Sequence, residues 1–175
     1  GSKIADEAIN FVSDGYTIFL DSSEISCCFI PLLQAFDDIT VITPNIKAIT
    51  LISKYPAIRT ICVCGCVQNE LLSVSGSYAV DFIDNFNADL AVVCGSGFDI
   101  NTGLSDVSMH EAIIKKKMIS RAKKRVIVCP SERIGTVSPY IICNCRGFDT
   151  LITDKKLSPE KAEALMTERI NFRCV

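Results

Sequence analysis

The 175-residue chain has a single histidine, His110, and no Cys-x-x-Cys pair among its ten cysteines. Both shortages weigh against a structural zinc site, which is usually built from closely paired cysteines and histidines. Long apolar runs are also missing, since none reaches the roughly 18 residues that a membrane-spanning helix needs. The N-terminus has neither the basic start nor the apolar stretch of a secretion signal. Positive charge is not in excess, because the net charge is −2. Duplex DNA is held by clustered Lys and Arg that neutralise phosphates. A slightly acidic domain is poorly suited to that task, so any DNA contact is expected from a segment outside this sequence.

The length suits one domain with a sizeable core. Gly1-Ser2 reads as a tag scar, which leaves residues 3–175 as the domain. The cysteines occur as Cys27-Cys28, Cys62-x-Cys64-x-Cys66, Cys143-x-Cys145 and the single Cys94, Cys129 and Cys174. Most lie in apolar, strand-like runs, where free cysteine acts as a small buried hydrophobe. Packing is therefore expected, in a reducing cytoplasm, with no metal and no cofactor. Lys115, Lys116, Lys117, Arg121, Lys123, Lys124 and Arg125 form one basic cluster, read as the solvated face of a helix.

Apolar runs alternate with helical patterns. Strands are expected at 16–20, 39–43, 59–64, 71–74, 90–94, 125–129, 140–143, 150–153 and 171–175. Helices are expected at 3–13, 26–36, 45–54, 77–86, 108–124 and 159–169, with Pro31 kinking the second or sitting in its first turn. Such alternation predicts an α/β fold: a mostly parallel, Rossmann-like sheet flanked by helices. Near-continuous apolar runs such as Ala91-Val92-Val93-Cys94 fit strands buried on both faces.

Ligands of open α/β sheets bind beyond the carboxyl ends of the strands. The segments to inspect there are Asp21-Ser22-Ser23-Glu24, Thr43-Pro44-Asn45, Gly65-Cys66, Gly95-Ser96-Gly97-Phe98-Asp99 and Pro130-Ser131-Glu132-Arg133. Small and hydroxyl residues ahead of a helix suit an anion held by backbone N–H groups, although Ser and Asp also serve simply as helix caps. Ser108 and Glu111 fit a capping box at the start of the longest helix. Lys115 lies four residues on, at the spacing of an ion pair with Glu111. His110 reads as a first-turn surface residue.

Taken together, the segments resemble the C-terminal sensor domain of DeoR-family bacterial transcription regulators. The similarity is carried by "KIADEAINFVSDGYTIFLDSS", "DDITVITPN", the Gly65 turn, the glycine of "SVSGSYAVDFI", "ADLAVVCGSGFDINTGLS", "HEAIIKKKM", "SERIG" and "FDTLITD". The resemblance implies a fold related to sugar-phosphate isomerases and CoA transferases. It also implies a separate helix-turn-helix domain for operator DNA, a homo-oligomer, and a phosphorylated sugar or related metabolite as effector. The effector residues it implies are Asp21, Ser22, Ser23, Glu24, Thr43, Asn45, Gly65, Gly95, Gly97, Asp99, Glu111, Lys115 and Arg133.

Several positions depart from the family pattern. Ser23, Glu24 and Ile25 replace a Gly-Thr-Thr continuation, and Glu24 puts a negative charge where a phosphate would be cradled. Pro44 removes a backbone donor. Cys66 replaces a second glycine, the first Asp of the Gly95 segment is lost, and Pro130 stands where an Asp is usual. The expectation is a regulator's effector domain with a divergent pocket and no enzymatic activity. The alternatives are an isomerase using Asp99 or Glu111 as base with Lys115 as cation, and an oligomerisation module without a ligand.

Overall fold

A computed structural model describes residues 2–175. Helix α1 (Lys3–Ala8) starts at Ser2, whose Oγ accepts the Ala5 N–H, and ends in a 3-10 turn. Gly1, the other residue of the expected tag scar, lies outside the described residues. Strand β1 (Thr17–Leu20) leads into α2 (Glu24–Phe29), then β2 (Thr40–Thr43), α3 (Ile46–Ile52) and β3 (Arg59–Cys62). A hairpin of β4 (Cys66–Gln68) and β5 (Ser73–Ser75) precedes α4 (Ser77–Ile83) and β6 (Ala88–Cys94). A second hairpin, β7 (Gly97–Asp99) and β8 (Gly103–Asp106), precedes α5 (Met109–Ser120) and β9 (Ala122–Val128). The chain finishes with β10 (Tyr140–Cys143), β11 (Thr150–Thr153), α6 (Pro159–Thr167) and β12 (Phe172–Cys174).

The main sheet has seven strands in the order β12-β11-β9-β6-β1-β2-β3, every pair parallel. Side chains of a strand alternate between faces, so one strand feeds two cores. Phe19, Ala91, Val93 and Ile127 pack on one side with Ala79 and Ile83 of α4 and Ala112, Ile114 and Met118 of α5. Ile18, Leu20, Leu90, Val92 and Val126 pack on the other with Ala5 and Ala8 of α1, Phe29 of α2 and Ala48 and Ile52 of α3. The result is a three-layer α/β sandwich whose strands are apolar on both faces.

The chain runs outward from β1 through β2 to β3, then returns to place β6 on the other side of β1. Loops after β1 and β6 therefore diverge, and their carboxyl ends bound the crevice in which α/β sheets bind ligands.

Several element boundaries differ from expectation. Helix α2 stops at Phe29 and continues as a 3-10 helix over Ile30–Ala35, because Pro31 offers no N–H to an α-helical ladder. Helix α5 ends at Ser120, so Lys123, Lys124 and Arg125 of the basic cluster lie on β9 and not on a helix. The packing role expected for the cysteines fails at Cys62, Cys64, Cys66 and Cys174, all exposed, whereas Cys129 is buried. Strand β3 is a sheet edge with an exposed end, so its apolar sequence does not translate into burial. No helix among the described residues is long and apolar enough to cross a membrane.

Candidate functional site

Asp21 follows the last residue of β1, is 1% exposed, and has both carboxylate oxygens committed. Its Oδ1 accepts the Ser23 N–H at 3.1 Å, the Ser23 hydroxyl at 2.5 Å and the Ser26 hydroxyl at 3.0 Å. Its Oδ2 accepts the Cys94 N–H at 2.7 Å across the crevice. One carboxylate thus ties the end of β1 to the end of β6. A buried charge is tolerable only when it is paired and hydrogen-bonded, and the pairing comes from α5.

Lys115 is the partner. Its Nζ lies 2.7 Å from Asp106 Oδ2 and 3.8 Å from Asp21 Oδ2, and all three side chains are less than a tenth exposed. Burial pulls the Lys115 pKa down, but Asp21, Asp106 and Glu111 outweigh it and raise the pKa above its ordinary value. The lysine therefore remains a cation. Asp106 Oδ1 accepts the Ser108 N–H at 3.0 Å and the Ser96 hydroxyl at 3.4 Å.

Glu111 sits one helical turn before Lys115. The capping box expected there is half formed. Ser108 Oγ accepts the Glu111 N–H at 3.3 Å, but the Ser108 N–H goes to Asp106, and the Glu111 carboxylate takes the Ser73 hydroxyl at 2.6 Å. The expected Glu111–Lys115 ion pair is replaced by Lys115 with Asp106 and Asp21. Burial raises the Glu111 pKa, Asp21 and Asp106 add to the rise, and Ser73 and Lys115 oppose it.

The structure brings Asp21, Ser23, Thr43, Asn45, Glu111 and Lys115 into one connected region. Thr43 donates to the Leu20 carbonyl at 2.7 Å and accepts the Asn45 N–H at 3.1 Å. The Asn45 amide donates to the Asp21 and Ser23 carbonyls, and its oxygen caps α3 through the Ala48 N–H. Both residues hold the β1 loop in place. Ser22 Oγ is buried without a partner. Glu24 turns outward to pair with Lys47 at 2.8 Å, with its side chain 78% exposed, so its charge is met at the surface.

The glycines serve packing. A Cβ at Gly95 would fall inside the Leu104 side chain, one at Gly97 would come within 2.6 Å of the Thr136 carbonyl, and one at Gly65 within 2.7 Å of the Ser75 carbonyl. The Gly95 and Ser96 N–H groups donate to the Val128 and Ser105 carbonyls, so they do not form an open anion nest. Asp99 stands apart from the centre. Its Oδ2 accepts the N–H groups of Asn101 and Thr102 and fixes the β7–β8 turn. Arg133 reaches inward from the β9 side, its Nε donating to the Ser96 carbonyl at 2.6 Å.

Sequence reasoning missed Ser73 and Asp106, and it did not single out Ser26 or Ser96 within the loops after β1 and β6. The Asp106-x-Ser108 pair ahead of α5 carried a usable signal, because Asp and Ser favour helix starts. Ser73 has none, being placed by the unforeseen β4–β5 hairpin. Cys94 and Cys129 are poor nucleophiles: burial raises both thiols, Cys129 to about 12, and Asp21 adds to the rise at Cys94. No group of three or more His, Cys, Asp or Glu among the described residues is placed to hold a metal ion.

Comparison with known proteins gives a consistent picture. The DeoR C terminal sensor domain family matches residues 2–155. The HTH-type transcriptional regulator GolR of Listeria innocua is 30% identical over 155 residues, covering 89% of this chain and 61% of that protein. The uncharacterized HTH-type transcriptional regulator YulB of Bacillus subtilis is 28% identical over 172 residues, covering 98% and 66%. The HTH-type transcriptional repressor GlcR of Bacillus subtilis is 26% identical over 154 residues, covering 88% and 59%. The chain thus spans less than two thirds of these relatives' length. Among solved structures, a D-ribose-5-phosphate isomerase in complex with phospho-erythronic acid superposes with a TM-score of 0.54 at 17% identity, over 82% of this chain and 54% of that one. The eIF2B beta chain of Chaetomium thermophilum gives 0.56 at 15%, over 85% and 48%. At these identities the structural likeness establishes the fold.

Proposed function

Because the chain belongs to the DeoR C-terminal sensor domain family, we propose that it is the effector-binding domain of a cytoplasmic bacterial transcription regulator of sugar metabolism. In this reading a sugar phosphate or a related metabolite enters the crevice between the ends of β1 and β6. The observation that supports it is the buried Asp21–Lys115–Asp106 centre with Glu111 beside it, at the point where strand order reverses. Loops from β1, β6 and β8 and the start of α5 all meet there. A ligand that favours one arrangement of these loops shifts the whole domain between two states, which is what coupling to a remote site requires.

Operator DNA is then bound by a helix-turn-helix domain elsewhere in the full regulator, and domains of this kind associate as homo-oligomers. Catalysis is not part of the reading. Asp99 is committed to a turn and Lys115 is held between carboxylates, which leaves Glu111 as the one base candidate and no uncommitted lysine beside it. The test is a thermal-shift screen of sugars, sugar phosphates and polyols against this chain. Binding to the folded state raises apparent stability by RT ln(1 + [L]/Kd), about 2.7 kcal/mol at a hundredfold excess over Kd. At least one compound is expected to raise the melting temperature. Silence across the panel would overturn the reading.

A further inference from the structure

We propose that this pocket takes an uncharged polyhydroxylated compound, a polyol or a sugar without a phosphate ester, and discriminates against its phosphate monoester. The inference rests on the effector-domain reading and narrows the ligand within it.

The first argument is charge. Around Lys115 the structure gathers Asp21, Asp106 and Glu111, three carboxyl groups to one ammonium. The lysine is already bonded to Asp106 at 2.7 Å and faces Asp21 at 3.8 Å. Carboxyl groups outnumber the one ammonium there, and like charges in a buried site repel more strongly than in water. A phosphate would have to displace an existing partner to reach this cation.

The second argument is the supply of donors. An oxyanion needs N–H groups, and apart from the uncapped start of α2, which carries Glu24, several at the crevice are used internally. Ser23 and Cys94 donate to Asp21, Asn45 to Thr43, Gly95 to Val128 and Ser96 to Ser105. Deeper in the site, acceptors and hydroxyls are open. Glu111 receives its one hydrogen bond on Oε1, from Ser73, and Oε2 has none. Ser75 is fully buried and its hydroxyl has no partner. Strand alternation puts Ser75 on the same face of β5 as Ser73, whose hydroxyl touches Glu111. Buried polar groups left unpaired are costly, and ligand hydroxyls, each both donor and acceptor, would satisfy Ser75 and Glu111 together.

Arg133 is a cation outside the cluster that reaches the loop after β6. Its Nε is committed to the Ser96 carbonyl, and Ser96 Oγ bonds Asp106, so Ser96 stands between the guanidinium and the cluster. The test must still allow an ester to be captured there.

Matched pairs decide the matter. Pentitols and hexitols are titrated calorimetrically into this chain, each beside its own monophosphate ester. At least one alcohol is expected to bind, with its ester about tenfold weaker or worse, a factor equivalent to 1.4 kcal/mol. Glu111→Gln, checked for folding by circular dichroism, removes a charge while keeping an acceptor and is expected to narrow that ratio. An ester that binds as tightly as its parent, or more tightly, overturns the inference, above all if Arg133→Gln then abolishes the advantage. Binding of sugar phosphates alone overturns the inference and leaves the sensor reading standing. No binding by any sugar, polyol or ester overturns the sensor reading itself, and the inference falls with it.

Discussion

Two places at the carboxyl edge of the sheet offer polar groups, and they are built in opposite ways. Around Asp21, Lys115 and Asp106 the charges are buried and bonded to one another. Around Ser131, Asp154, Lys156, Ser158 and Lys161 they line an open cleft of about 300 Å³. In the cleft, Asp154 accepts the Ser131 N–H at 2.9 Å and hydroxyl at 2.6 Å, which hold its carboxyl below the usual carboxylate range. Lys161 donates to the Ser131 carbonyl at 3.2 Å. Water can replace any one of these contacts. In the buried centre nothing can, so each group there fixes the others. The proposed sensing site is the closed network at the strand-order reversal, and the open cleft is its rival.

The contrast breaks most readily at Lys115. Lys115→Met leaves Asp21 and Asp106 buried without their cation, and stripping one partner from such a pair costs about 3–5 kcal/mol. Lys161→Met in the open cleft is expected to cost about 1 kcal/mol or less, the scale of one hydrogen bond. Urea denaturation of both variants measures the difference, and equal losses would erase the distinction. Gly95→Ala comes next. Its methyl would collide with Leu104 and push β8 from the end of β6, at about 1–3 kcal/mol for an overpacked site. A variant as stable as the parent would show that the hairpin is loosely seated.

Glu111→Gln sharpens the comparison through pH. Burial raises the folded-state pKa of Glu111 above its unfolded value. Stability from this group is then fully present below the unfolded pKa and is lost as pH rises through the folded one. Glutamine does not titrate, so the melting temperature of the variant relative to the parent is expected to climb as pH rises from the ordinary glutamate pKa of about 4.3 through the raised folded-state one. A difference that stays flat would show that Glu111 is solvated in the folded state. The smallest effect is expected at Glu24, whose exposed pair with Lys47 is screened by solvent. Glu24→Thr is expected to leave the denaturation midpoint unchanged within error, and a clear loss would show that the α2 start depends on that pair.

Much of the fold was legible in the sequence, because parallel strands buried on both faces leave continuous apolar runs. Tyr16–Leu20, Ile39–Thr43 and Thr150–Thr153 fall within a residue of the observed β1, β2 and β11. The two short hairpins were less visible. Gly97–Asp106 and Cys66–Ser75 owe their shape to close backbone approaches, which leave only glycines and small residues as a trace. At the candidate site, Asp21, Glu111 and Lys115 were expected as members, and the structure brings them together in another pairing than spacing suggested. Spacing along one helix pointed to Glu111 with Lys115, whereas the tertiary fold supplies Asp106 and Asp21 at better geometry. Ser73 was hidden because hydroxyls are common and only the β4–β5 hairpin brings it to Glu111. The exposed Cys62, Cys64, Cys66 and Cys174 defeated an argument from hydrophobicity, since edge strands and the turns beside them, such as β3 with Cys62, can be apolar in sequence and uncovered in space.

The most direct measurement is hydrogen–deuterium exchange of this chain with and without whichever compound gives the largest thermal shift. New protection is expected at 21–26, 73–76, 94–96 and 106–111, the segments that converge on Asp21 and Lys115. Protection confined to 131–133 and 154–161 would place the ligand in the open cleft and contradict the assignment of the buried centre as the sensing site.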